Sequence, residues 1–297
     1  MITLDNGILR IEITLPDEHP NDGVRFDRAG FISEVTLNNA IHFAANEPKN
    51  LSHPTSYGRG FCCEFKLDLC NEAQVGERYP KLGVGLIKKE KDEPYLFYEK
   101  YDVEHYPVSW KQEKDCIEFI TEPVICMGYA VKQKKRISID GCTMTVEYEM
   151  ENAGGKPIDT LEYCHNFISI DGMALSPDYI LEVPGLRSFE GEIIPTEKDD
   201  DFHLKGAGHG FTFEKASIQT LLSTIDLTDI SKELPFKWKM SHKGAKAHIE
   251  GEESYTPASF VIWSTDHMMC PEFMHRIMLN PGEKDNWRRK LTFIEEE

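Results

Sequence analysis

At 297 residues the chain is long enough to bury a large core, and 40% hydrophobic with 28% charged content is ordinary for a soluble globular protein. Its 33 basic and 51 acidic residues leave a net charge of −18, which repels phosphate backbones and anionic lipid and so excludes nucleic acid and membrane surfaces as expected partners. No window approaches the roughly 20 apolar residues of a membrane span, and no basic segment followed by an apolar run opens the chain, so a cytoplasmic location is expected.

Strand signals run from one end to the other. The first, ITLDNGILRIEITL (2–15), reads as a hairpin around Asn6-Gly7. GVRFDRAGFISEVTLNNAIHF (23–43) reads as two strands turning at Asn38-Asn39. RISIDGCT followed by TMTVEYEMEN (136–152) predicts a tight hairpin at Asp140-Gly141, with Met144, Val146, Tyr148 and Met150 on one face. A turn cluster, NAGGKP, then leads into LEYCHNFISIDG (161–172), so residues 135–170 read as a three-stranded antiparallel meander. PTEKDDDFHLKGAGHG (195–210) reads as a long surface loop, with strand patterning resuming at Phe211. ASIQTLLSTIDL (216–227), the best helix candidate, is as well read as a strand. RIMLNPGEKDNWRRKLTF (276–293) predicts two strands joined across Pro281-Gly282. No linker or short repeat divides the chain. The expectation is an all-β protein, a single domain over residues 1–297 closing as a large antiparallel sandwich or barrel.

Eight cysteines, two of them adjacent at Cys62-Cys63, lack the spacing of a disulfide framework and read as reduced thiols. His267, Cys270 and His275 cluster, and His203 and His209 bracket a loop, but neither spacing matches a zinc site and no metal is expected. Nucleotide-cofactor and nucleophile-elbow fingerprints are absent, so no cofactor is expected.

Three segments combine ionisable groups with aromatics and glycines. In YGRGFCCEF (57–65), Arg59 lies between glycines that let a ligand approach the backbone; a turn with a surface arginine is the plainer alternative. In LEYCHNFISIDG, alternation puts His165 on one face with Leu161, Tyr163 and Phe167, either as a hydrogen-bonded core histidine or as a proton carrier. In WSTDHMMCPEF (263–273), Glu272 follows a proline among apolar residues, where a buried carboxylate would need a partner.

Taken in order, Arg59 in YGRG, His165 in EYCHNFISIDG, Glu272 in CPEF and the closing LNPGEKDNWRRKLTF resemble the galactose mutarotase (aldose 1-epimerase) superfamily; GERYPKLGVGLIKK (76–89) suggests a divergent branch. The resemblance extends over nearly the whole chain and implies a β-supersandwich whose concave sheet forms a sugar cleft. By that resemblance His165 is the general acid, Glu272 the general base and Arg59 a sugar-binding residue. Mutarotation needs one group to protonate the ring oxygen and one to deprotonate the anomeric hydroxyl; a His near pKa 6.5 and a Glu near about 4.3 suit such a pair. Trp263 would offer its face to a pyranose or, as the plainer alternative, pack in the core.

This chain also departs from the family pattern. PKLGVG (80–85) stands where the family has Leu-His-Gly-Gly, with Lys81 as the substitute cationic donor, and no sugar-binding Asp is evident near LPFKWKMSH (234–242). The expected function is therefore an aldose 1-epimerase-like isomerase acting on a small sugar. The alternatives are a non-catalytic carbohydrate-binding protein with the same cleft, or another sugar-active enzyme such as a phosphosugar epimerase or lyase. The sequence fixes no oligomeric state and leaves a homodimer open.

Overall fold

The structure, a computed structural model, describes residues 1–18, 23–47, 58–187, 189–192, 204–214 and 221–296. Among these, helix is confined to three 3-10 turns, Pro16–Glu18, Cys70–Glu72 and Ile170–Gly172, and the rest of the regular structure is antiparallel strand. No helix among the described residues is long and apolar enough to cross a membrane. The all-β expectation holds.

Local turn chemistry set the hairpins. Ile2–Asp5 pairs with Leu9–Thr14, with Gly7 at φ 89° and the Asn6 side chain accepting the Ile8 and Leu9 N–H groups at 3.0 and 2.9 Å. Asn38 and Asn39, at φ 50° and 54°, turn Phe31–Leu37 back into Ile41–His42. Gly141, at φ 54°, closes the long hairpin of Val131–Asp140 with Thr143–Asn152.

Two sheets carry the architecture. The larger runs in the order Phe189–Glu192, Leu204–Gly208, Gly210–Phe213, Tyr179–Glu182, Phe236–His242, Ala247–Glu253, Lys284–Glu295, Thr143–Asn152, Val131–Asp140, Cys116–Thr121, Val108–Gln112. The smaller runs Leu221–Thr224, Ser259–Ser264, Met269–Leu279, Ile158–Cys164, Cys63–Phe65. One face of the large sheet pairs opposite charges across strands, as in Lys134 opposite Glu149 and Glu147 opposite Arg288. Its other face packs on the small sheet: the Tyr148 and Phe65 ring centroids are 6.3 Å apart, and those of Trp238 and Phe273 are 5.6 Å apart. The main apolar core, from Ile2 to Phe293 along the chain, fills that space.

Polar residues also cross it. Arg289 of the large sheet grips the Glu162 carboxylate of the small sheet with two hydrogen bonds, at 2.8 and 2.6 Å, and both side chains are buried. The geometry supplies the bidentate contact that a buried pair needs to offset its desolvation.

The expected meander over 135–170 is corrected. Its first two strands pair, but Ile158–Cys164 lies in the other sheet, between Met269–Leu279 and Cys63–Phe65. Both edges of Thr143–Asn152 are already taken, by Val131–Asp140 and Lys284–Glu295, so the following strand has no edge to join. The two strands expected on either side of Pro281-Gly282 are present, as Met269–Leu279 and Lys284–Glu295, and they fall in different sheets. The loop expected over 195–210 is corrected in its second half: Leu204–Gly208 and Gly210–Phe213 form a hairpin, its glycines having masked the strand signal. Residues 195–203 lie outside the described set, as do 216–220 of the ambiguous ASIQTLLSTIDL segment; its Leu221–Thr224 is strand.

Candidate active site

The site is built on the small sheet. On Ile158–Cys164 alternate side chains face opposite ways, so Glu162 and Cys164 point to the large sheet while Tyr163 and the following His165 point away from it. Across the ladder Glu64 pairs with Tyr163 and shares its face. The pairing continues one residue beyond the strand, where the His165 N–H donates to the Cys62 carbonyl at 2.8 Å. Asn166 then turns the chain, at φ 25°, and its side-chain amide donates to the Pro271 carbonyl at 2.7 Å. That bond ties the end of the His165 segment to the neighbouring strand just before Glu272.

The predicted alternation is visible in the rings. His165 lies 4.5 Å from the Tyr163 ring centroid and stacks at 5.5 Å on Phe167, with an interplanar angle of 7°. Phe26 meets it edge-on at 5.3 Å.

Both imidazole nitrogens face carboxylates. Nδ1 is 2.6 Å from Glu272 Oε1, and Nε2 is 2.8 Å from Glu64 Oε2. The side chains are enclosed, His165 at 5% exposure and Glu272 at 7%. An ionised carboxylate only accepts hydrogen bonds, so two carboxylates on one ring favour the imidazolium. Burial pulls the His165 pKa down, as does the Arg25 charge, but the Glu272 charge and the ring's hydrogen bonding to Glu272 and Glu64 more than offset this, and the net displacement is upward.

Glu64 is the hub of this cluster. Besides His165 it accepts the Tyr163 hydroxyl at 2.9 Å and Arg25 Nε at 3.1 Å, and it lies 3.6 Å from Lys81 Nζ. Burial alone would raise its pKa; Lys81, Arg25 and His165 together hold it well below the usual carboxylate range. Arg25 also faces Glu47, at 3.8 Å, and covers the Phe97 ring at 4.3 Å. For the Glu272 carboxylate, by contrast, His165 is the one ion-pair partner among the described residues.

The structure therefore brings His165 and Glu272 into direct contact. Lys81, read as a substitute sugar donor, lies at 4% exposure behind Glu64 and donates to the Phe65 carbonyl at 2.5 Å. Arg59 donates to Thr14 Oγ1 at 3.0 Å and lies 5.4 Å from the Phe31 ring; from there Phe31 meets Phe26, and Phe26 meets His165. Trp263, half-buried, meets Phe167 edge-on at 5.6 Å on the other side. No sugar-binding Asp comes from the 234–242 segment, which is the strand Phe236–His242. The sequence pattern does not mark Glu64, Arg25 or Tyr163 as site residues. The signal for Glu64 was an acid between Cys63 and Phe65, inside a run that is otherwise apolar.

The cysteine and histidine clusters resolve separately. All eight cysteines are unbridged. Cys270 is buried against Phe167 and Cys62, His267 meets Asp266 at 2.6 Å and the Asn46 carbonyl at 2.9 Å, and His275 meets Asp285 at 2.8 Å. His209 contacts the Leu186 carbonyl, and His203 lies outside the described residues. Among the described residues no group of three or more His, Cys, Asp or Glu side chains is arranged to hold a metal ion.

The two antiparallel sheets packed face to face form a galactose mutarotase-like sandwich. Among solved structures, the chain is similar to a galactose mutarotase-like protein from Lactobacillus casei, at 12% identity and TM-score 0.57, with 99% of this chain and 100% of that one covered. It is likewise similar to a GalM/aldose epimerase homologue from C. elegans, at 10% identity and TM-score 0.56, with 100% and 99% covered. A third, a galactose mutarotase-like protein from Clostridium acetobutylicum, aligns at 13% identity and TM-score 0.56 over 98% and 100%. At such identities the likeness establishes the fold alone. No protein-family model and no curated protein matches the sequence.

Proposed function

We propose that the protein is an aldose 1-epimerase-like isomerase that interconverts sugar anomers through His165 and Glu272. The observation that carries this reading is the 2.6 Å contact between His165 Nδ1 and Glu272 Oε1, an acid and a base side by side in a fold shared with an aldose epimerase homologue. The sugar enters by opening this contact, its ring oxygen meeting the imidazolium and its anomeric hydroxyl meeting the carboxylate.

In that arrangement His165 gives its Nδ1 proton to the ring oxygen while Glu272 takes the proton of the anomeric hydroxyl. The bond between C1 and the ring oxygen breaks, and the electron pair of the former O–H bond forms the carbonyl. Rotation about the C1–C2 bond and closure, with both proton transfers reversed, deliver the other anomer. Each positioned proton transfer contributes on the order of 10²–10⁴-fold. Arg59 supplies the planar donor fork for sugar oxygens and Trp263 the apolar platform. Lys81 acts through Glu64; committed there, it is withdrawn from the cations that a phosphorylated sugar would need. Eight unbridged cysteines suit a reducing cytoplasm.

Polarimetry of fresh α-anomers tests the reading. Relaxation faster with the protein than without it, and slowed in both His165→Ala and Glu272→Ala, is the expected result; equal rates for all three proteins would refute it. A second reading, carbohydrate binding without turnover, is favoured by one observation: the His165–Glu272 pair is closed and both ring nitrogens are satisfied. Calorimetric sugar binding that survives Glu272→Ala, with no relaxation by the wild type, would select it.

A further inference from the structure

Resting on that reading, we propose that Glu64 is the positioning residue of the site: it holds a proton on Nε2 of His165, so that Nδ1 is the nitrogen that exchanges its proton with the substrate.

The two carboxylates on His165 are not equivalent. Glu64 receives Nε2 at 2.8 Å, the Tyr163 hydroxyl at 2.9 Å and Arg25 Nε at 3.1 Å, with Lys81 Nζ at 3.6 Å on its other oxygen. These partners come from three parts of the chain: Arg25 precedes the strand Phe31–Leu37, Lys81 ends Arg78–Lys81, and Tyr163 lies opposite Glu64 in the small sheet. To release His165, the Glu64 carboxylate would have to rotate away from a hydroxyl and two cations at once. Among the described residues the Glu272 carboxylate is ion-paired with His165 alone, so opening that contact disturbs one pairing.

The asymmetry assigns the chemistry of each nitrogen. A carboxylate locked in its ionised form accepts a hydrogen bond and never gives one, so Nε2 keeps its proton throughout the cycle. When the imidazolium gives up a proton it does so from Nδ1, and the neutral ring left behind has the tautomer that accepts a proton at Nδ1. A carboxylate orienting a catalytic imidazole in this way fixes tautomer and ring plane and stabilises the charged form. Phe167 and Phe26, on the face and at the edge of the ring, restrain its rotation further.

The test reads His165 itself and needs no sugar. Imidazole 15N-labelled protein is followed by two-bond 1H–15N correlation over pH, with the His165 signals identified by their loss in His165→Ala. In the wild type the neutral form should carry its proton on Nε2. Glu64→Gln keeps the shape and drops the charge, and should lower the His165 protonation constant at least tenfold, about one pH unit. Where the lone variant fails to fold, the paired replacement Glu64→Leu with Lys81→Met removes the stranded lysine charge and should give the same fall, with the Nδ1–H tautomer now appearing. In active protein the high-pH limb of kcat, where the acid loses its proton, should move down with it, while KM changes little. A His165 titration and tautomer unaltered in either variant would overturn the proposal. Absence of anomerase activity would sink the functional reading and leave this result standing.

Discussion

Nδ1 of His165 and Oε1 of Glu272 meet at 2.6 Å although the two residues come from different strands of the small sheet, tied together by the Asn166 amide on the Pro271 carbonyl. The contact joins the two residues that strand alternation and sequence order single out. It also shows the pair closed, so under the proposed function a sugar must open this contact to reach either partner.

The displaced pKa of His165 sets one pH signature. Its folded value lies above the ordinary 6.5, so the stabilisation it brings is fully present below that value and is lost as pH rises through the folded one. The stability gap between wild type and His165→Asn, read as urea midpoints, should be wider at pH 6 than at pH 9. Glu64 has the opposite sense. Its depressed folded value gives stability that is present above the ordinary 4.5 and lost only in acid, so it contributes throughout the neutral range.

Glu253 gives a second signature, remote from the site. Burial raises its carboxyl to about 7, with Arg289 opposing. A raised carboxyl stabilises the fold below its ordinary 4.5 and loses that contribution as pH rises to about 7. Wild-type stability should therefore fall across this window relative to Glu253→Gln, and parallel pH curves for the two proteins would contradict the assignment.

Removing one partner of a buried charge cluster is costly because the others are left uncompensated. Lys81→Met strips a cation from buried Glu64 and should destabilise the protein by about 3 kcal/mol in chemical denaturation. Glu64→Leu added to Lys81→Met should recover part of that loss, since both charges are then gone.

Arg59 should act on binding more than on chemistry. Arg59→Ala should raise KM about tenfold, the scale of a hydrogen bond to a charged group, with kcat within a few-fold of wild type. A fall in kcat at unchanged KM would place the arginine in the proton-transfer step instead.

What was legible in the sequence was local. Asn6-Gly7, Asn38-Asn39 and Asp140-Gly141 carry their turn geometry in their own side chains, and the hairpins they close are present. NAGGKP was read correctly as a turn and wrongly as a hairpin, because turn residues do not say whether the next strand returns to its neighbour or crosses to another sheet. His165 was found from alternation, which depends on residues two apart. Glu64 meets it across 101 positions, and no local pattern marks such a pairing. Lys81 is a cation in the right region, but its direction depends on how Arg78–Lys81 packs against Cys63–Phe65, which its sequence neighbours leave unspecified.

Magnetisation exchange between the α and β anomers of ¹³C1-labelled aldoses at equilibrium, with wild type and Glu272→Gln side by side, is the decisive measurement for the His165–Glu272 pair. The prediction is protein-dependent exchange for at least one sugar in the wild type, reduced by about 10²-fold or more in Glu272→Gln, which keeps the side chain's shape and removes the base. Exchange at the same rate in both proteins would contradict the assignment of His165 and Glu272 as an acid–base pair.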